Sequence, residues 1–183
     1  MMNRMVWAPA ALSLVLLSGC STPAQPQVKQ LHREVSQLNQ QMQQLTSQAS
    51  AVEIQGQLNA HSQQGAWLLP QANTPVALQT QVGTLRLSLA RIEAEAGGTH
   101  ADLTLRTQDN SPLPGMHATV VWGQLDPATG KPIEADSLTQ TLSVPASLTP
   151  RSSVTVPLRL KDVTPEQLGY VRIHQVIADT SRP

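Results

Sequence analysis

Apolar side chains recur with one period in the first third of the chain and with another in the rest. Val28, Leu31, Val35, Leu38, Met42, Leu45, Ala49 and Val52 alternate at spacings of three and four. That spacing holds one narrow stripe on a single helical face, and it predicts a helix over 27–58. Val28, Val35, Met42 and Ala49 take the a positions of a heptad and Leu31, Leu38, Leu45 and Val52 the d positions, which is the seam of a parallel coiled coil. The seam fails at Gly56 and Asn59. From Gln27 to Gln55 such a stalk would be roughly 43 Å long at 1.5 Å per residue. Its flanks are Gln, Asn and Ser, with Lys29, Arg33, Glu34 and Glu53 almost the only charges, so ion pairs contribute little to partner choice. The same stripe also fits a single helix folded back onto the following domain, or a Gln-rich tether, because four heptads without charge pairing are marginal alone.

From Ala66 onward the pattern alternates residue by residue, and turn residues break it at short intervals, as in an all-β domain. Strands are expected at 67–69, 76–82, 85–94, 100–107, 116–125, 138–144, 154–160 and 170–177. Leu85, Leu87 and Leu89 share one parity while Ile92 and Ala94 fall on the other, so a bulge is expected near Ala90 or Arg91. Gly97-Gly98 suits a two-residue hairpin turn. The expected fold is mainly β, an immunoglobulin-like β-sandwich of seven or eight strands over 66–183, joined by a linker at 59–65 to a helical coiled-coil stalk. Tyr170 at a strand start fits the tyrosine corner of such sandwiches, although too little chain follows it for the usual next strand.

Ahead of the stalk, Arg4 and the apolar run from Val6 to Leu17 have the layout of an export signal. Twelve residues are too few to span a bilayer. The run closes on Leu17-Ser18-Gly19-Cys20, which resembles the lipobox of bacterial lipoprotein precursors. The resemblance implies removal of residues 1–19, a diacylglyceryl group on the Cys20 thiol and an acyl group on its new amine. Residues 20–26 are then a lipidated tether. Cys20 is the only cysteine of the 183 residues, so its thiol has no partner within the chain and a thioether accounts for it. Two or more acyl chains hold a protein on a membrane stably. Ser21 stands where sorted lipoproteins carry Asp when retained at the inner membrane, which implies the periplasmic face of the outer membrane.

Without residues 1–19 the chain carries 11 Lys and Arg against 12 Asp and Glu. A near-neutral chain without a basic patch gives no electrostatic case for nucleic acid. There is no Phe, and only Trp67, Trp122 and Tyr170 remain as aromatics, so the core must be aliphatic. Asp126-Pro127-Ala128-Thr129-Gly130-Lys131-Pro132 contains Gly-Lys, but the spacing to Gly123 is wrong for a phosphate loop and Pro132 replaces its Ser or Thr. A turn between strands is the better account. Asp126, Glu134 and Asp136 lack the spacing of a Ca²⁺ loop, and His32, His61, His100, His117 and His174 lack metal-ligand spacing. No enzyme motif or cofactor fingerprint is present.

Trp67-Leu68-Leu69-Pro70, Val82-Gly83-Thr84-Leu85-Arg86, Pro112-Leu113-Pro114 and the run from Gln167 to His174 follow one another as in the YajI-type lipoproteins, which this chain resembles. The stalk is also similar to the coiled coil of the murein lipoprotein, although Ser181-Arg182-Pro183 offers no terminal lysine for attachment to peptidoglycan. The first resemblance brings a domain of unknown function and no catalytic residue. The expectation is therefore a lipid-anchored envelope protein without enzymatic activity. It would associate with itself through the stalk and touch an envelope protein or the cell wall through its β domain. A peptide- or glycan-binding β domain is the alternative. Arg172 and His174 share one parity and form a candidate interaction patch.

Overall fold

The computed structural model describes residues 24–60, 62, 65–151 and 153–179; Cys20 and the expected export signal at 1–19 lie outside them. Among the described residues there are one α-helix and eight strands: α1 (Ala24–Ala60), β1 (Gly65–Leu68), β2 (Val76–Thr80), β3 (Gly83–Glu95), β4 (Gly98–Thr107), β5 (Met116–Gly123), β6 (Leu138–Val144), β7 (Val154–Lys161) and β8 (Tyr170–Ala178). Every strand ends within two residues of its expected limits. Contacts divide the chain after Gln40. The first unit is helical from Ala24, and its Val28, Leu31, Val35 and Leu38 are 48% to 59% exposed.

The second unit holds the rest of α1 and all the strands. Two four-stranded sheets have the orders β1-β8-β5-β6 and β2-β3-β4-β7, and every pairing is antiparallel. Alternation buries one face of each sheet in a single shared core. Leu85 and Leu87 of β3, Leu103 and Leu105 of β4, and Leu158 and Leu160 of β7 come from one sheet. Val120 of β5 and Val171 and Ile173 of β8 come from the other. Each such side chain contributes about 1.5–3 kcal/mol on full burial, so an aliphatic core without Phe suffices. Trp122 is buried among them, and its indole Nε1 donates to the Lys161 carbonyl at 3.0 Å.

The bulge lies at Arg91, which takes φ +45°, and the β3–β4 register jumps between Ala90 and Glu93. Two residues then oppose one, which returns Ile92 to the core side. The following hairpin turn is Ala96-Gly97, one residue earlier than expected, with Gly97 at φ +81° and Gly98 already paired to Glu95. Gly98 is required there because a Cβ would strike the Leu160 backbone.

The helix does not stop at 58, and the expected linker at 59–65 is not free of the β domain. Asn59 and Ala60 are helical and Gly65 is the first residue of β1. Ala51 and Gln55 are buried, and Ile54 and Leu58 pack with Trp67, Leu69, Ala72 and Tyr170 in a second apolar cluster. This stripe is distinct from the heptad seam, whose Met42, Leu45 and Val52 remain 40% to 65% exposed. The helix thus presents one apolar face to the β domain and leaves another uncovered.

Candidate functional site

β1 is an edge strand that pairs only with β8. An edge strand carries backbone N–H and C=O groups that its sheet cannot satisfy. Helix amides satisfy them here. The Trp67 N–H donates to Asn59 Oδ1 at 2.9 Å, and Asn59 Nδ2 donates back to the Trp67 carbonyl at 2.8 Å. One turn earlier, Gln55 Oε1 accepts the Leu69 N–H at 2.8 Å while its Nε2 donates to Thr74 Oγ1 at 2.8 Å. The carboxamides stand in for a missing neighbour strand.

With β1 fixed, its Trp67 lies opposite Arg172 of β8. The guanidinium carbon of Arg172 sits 4.8 Å from the Trp67 ring centroid, and the Tyr170 ring lies 5.1 Å from it, tilted by 57°. Gly65 faces the same pair of side chains. A Cβ there would come within 3.1 Å of Arg172 Nε and of His174 Cβ, so the glycine makes room for both. Arg172 Nε is buried with no hydrogen-bond partner, and neither Arg172 nor Lys131 joins an ion pair among the described residues.

Between the end of α1, Trp67, Arg172 and the loop from Thr129 to Pro132 lies an open groove of about 810 Å³. Ile54, Leu58 and Trp67 supply apolar walls, and Arg172, Lys131 and Glu134 supply the charges. The loop is the Gly-Lys segment. Its conformation is an aspartate-capped turn, in which Asp126 Oδ1 accepts the Ala128 and Thr129 N–H groups at 2.8 and 3.0 Å. Those donors hold the Asp126 carboxyl below its ordinary value. Gly130, at φ +66°, rests against the Ile54 side chain. Among the described residues no three His, Cys, Asp or Glu side chains converge as metal ligands.

Burial pushes the Tyr170 phenol above its ordinary value, with a hydrogen bond from Ser137 opposing and the Glu134 charge adding. Burial, followed by the Arg172 charge, lowers the His174 imidazole. Arg172 and His174 do lie on one face of β8 and flank Gly65. They open onto different hollows, however. Arg172 lines the groove just described, and His174 lines a smaller one beside Gln79 and Thr80 of β2. The sequence offers Lys131 and Glu134 only as parts of a phosphate loop and a Ca²⁺ loop whose spacing fails, and Trp67 only as a motif aromatic; their convergence with Arg172 is a product of the fold. Asn59 and Gln55 had one available signal: polar residues four apart, continuing the stripe of Ala51, Ile54 and Leu58 off the heptad seam.

Among the described residues no helix is long and apolar enough to cross a membrane. The chain is a helix-led, mainly β protein built on two four-stranded antiparallel sheets. Residues 20–181 match the family described as "Protein of unknown function (DUF3251)", and the chain belongs to that family. It is 41% identical over 164 residues to the uncharacterized lipoprotein YajI of Escherichia coli (strain K12), covering 90% of each chain. The solution NMR structure of the Escherichia coli YajI lipoprotein superposes with a TM-score of 0.69 at 37% identity, over 75% of this chain and 82% of that one. The Salmonella enterica trimeric lipoprotein SadB superposes with a TM-score of 0.55 at 21% identity, over 85% of this chain and 87% of that one.

Proposed function

We propose that this protein is a lipid-anchored, non-enzymatic interaction module of the cell envelope, held at Cys20 on the periplasmic face of the outer membrane. Its helix associates with copies of itself as a coiled-coil stalk. The observation that carries this reading is the uncovered a/d stripe: seven large apolar side chains from Val28 to Val52 are at least 40% exposed on a chain whose β domain already has a complete core. Confinement to a membrane raises the effective concentration of such helices, which favours their pairing. The SadB likeness supports the fold, and the case for association rests on this chain's own heptads.

The β domain is read as an immunoglobulin-like sandwich. The order β3-β4-β7 corresponds to strands A-B-E and β6-β5-β8 to C′-C-F, with the buried Trp122 on the C strand and Tyr170 at the start of F. The G position beside F is taken by β1, from the other end of the domain. This supports the sandwich reading although little chain follows β8.

Cysteine crosslinking on membranes tests the stalk. The chain's only cysteine is the lipidated Cys20, so Leu38→Cys at a d position introduces the sole oxidisable thiol. Oxidation should give covalent dimers from Leu38→Cys and none from Gln40→Cys, which lies off the seam. Equal yields would remove the coiled coil from the proposal. The groove beside Arg172 favours one further reading, in which the β domain also takes up a peptide or glycan.

A further inference from the structure

We propose that the groove between α1 and the loop at 129–132 binds the free carboxylate end of a peptide carrying an aliphatic side chain. This inference rests on the second reading above, the ligand-binding β domain, and gives it a chemistry. Arg172 is half-buried and stacked on Trp67, which fixes the plane of its guanidinium as a fork suited to a carboxylate. It has no carboxylate partner among the described residues, so part of the cost of burying it is uncompensated until an anion arrives. Lys131 adds a second cation across the groove, and Glu134 stands with them. Two cations and one acid suit a single negative charge and disfavour a polyanion such as a phosphorylated chain. The Ile54, Leu58 and Trp67 walls offer an apolar surface to the adjoining side chain. The volume of about 810 Å³ lies within the range of about 300–1,000 Å³ usual for ligand clefts.

The test titrates the full lipidated chain in detergent micelles by calorimetry with three probes. They are acetyl-Ala-Ala-Leu with a free carboxylate, the same peptide as its C-terminal amide, and the neutral glycan chitotetraose. The acid should bind about tenfold more tightly than the amide, the loss expected for removing one charge-assisted contact. Arg172→Gln should bring the acid down to the level of the amide. Lys131→Gln, on an exposed loop, should weaken the acid several-fold without touching the core, and it keeps the test decisive if Arg172→Gln does not fold. Arg106→Gln, exposed on β4, should change nothing. Equal binding of acid and amide, no binding of either peptide, or wild-type affinity in Lys131→Gln or in a folded Arg172→Gln would overturn the proposal. Binding of chitotetraose alone would also overturn it, while preserving a ligand-binding β domain. Crosslinking at Leu38 is independent of every one of these outcomes.

Discussion

Replacing Asn59 by Ala removes both groups that satisfy the outward edge of β1 at Trp67, the N–H by 2.9 Å and the carbonyl by 2.8 Å. Trp67 is only 8% exposed, so these backbone groups have little access to replacement water. A buried group left unpaired costs about 1–3 kcal/mol. Asn59 itself is half-buried, and the vacated space admits some solvent, which places the pair near 2 kcal/mol rather than twice that. Alanine recovers a few tenths of a kcal/mol by helix propensity, leaving a net loss of about 1.5 kcal/mol. At roughly 2–4 °C per kcal/mol for a chain of this size, Tm should fall by about 5 °C. Thermal unfolding followed by near-ultraviolet circular dichroism reads this directly, since Trp67 and Tyr170 sit in the affected cluster. Glu53→Ala, exposed and two turns from the helix end, is the control and should stay within about 0.5 kcal/mol of the parent. A fall below about 1 °C for Asn59→Ala would refute the edge-capping argument. Gln55→Ala should lose at least as much, because Gln55 and Leu69 are both buried.

Tyr170 is the only tyrosine, so ultraviolet titration of the folded chain should show one phenol ionising above the ordinary value of about 10, owing first to its burial. A folded pKa raised above the unfolded one gives stability that is complete below pH about 10 and is lost as pH rises through the folded value, so alkaline denaturation should be steeper than in Tyr170→Phe. A phenol titrating at or below 10 would contradict the burial. Gly169→Ala should be among the most damaging single changes, since a Cβ there would press on the backbone of Gln124 and Leu125; an unchanged urea midpoint would show that this loop yields easily. Cys20→Ser should abolish incorporation of labelled palmitate and release the protein from membranes, and label retained by that variant would end the lipoprotein reading.

Local patterns were readable where a single face is buried. Leu85, Leu87 and Leu89 announce a strand, and the parity change at Ile92 announces the bulge at Arg91, because a one-residue slip exchanges the two faces of a strand. The pairing of β1 with β8 had no such signal. Four buried residues, Gly65 to Leu68, meet a strand that begins more than a hundred positions later, and no short-range period encodes that partner. The Arg172–Trp67 stack, and with it the groove, was hidden for the same reason. Arg172 and His174 share one face of β8, yet Arg172 lines the groove beside α1 and His174 the hollow beside β2, a division that strand parity alone does not encode.

The helix posed a choice that its geometry removes. Read by spacing, the stripe was a seam between copies, a face folded onto the β domain or part of a Gln-rich tether. At about 100° per residue, the a and d positions centre on one direction, and Ala51, Ile54, Gln55 and Leu58, at c, f, g and c, centre roughly 130° away from it. Both sets can be occupied at once. Met42, Leu45 and Val52 are exposed while Ala51 and Gln55 are buried within the same few turns, so docking on the β domain leaves the seam free. The polar residues follow the same division. Gln55 read as a polar flank of the stalk and Asn59 as the point where the seam fails and the linker begins, but an amide offers a donor and an acceptor together, which is what the open edge of an antiparallel strand requires. A leucine at either position would extend the apolar cluster but strand backbone groups, those of Trp67 in β1 for Asn59 and the Leu69 N–H just beyond β1 for Gln55, so the sequence spends two amides where a packing argument alone would place hydrocarbon.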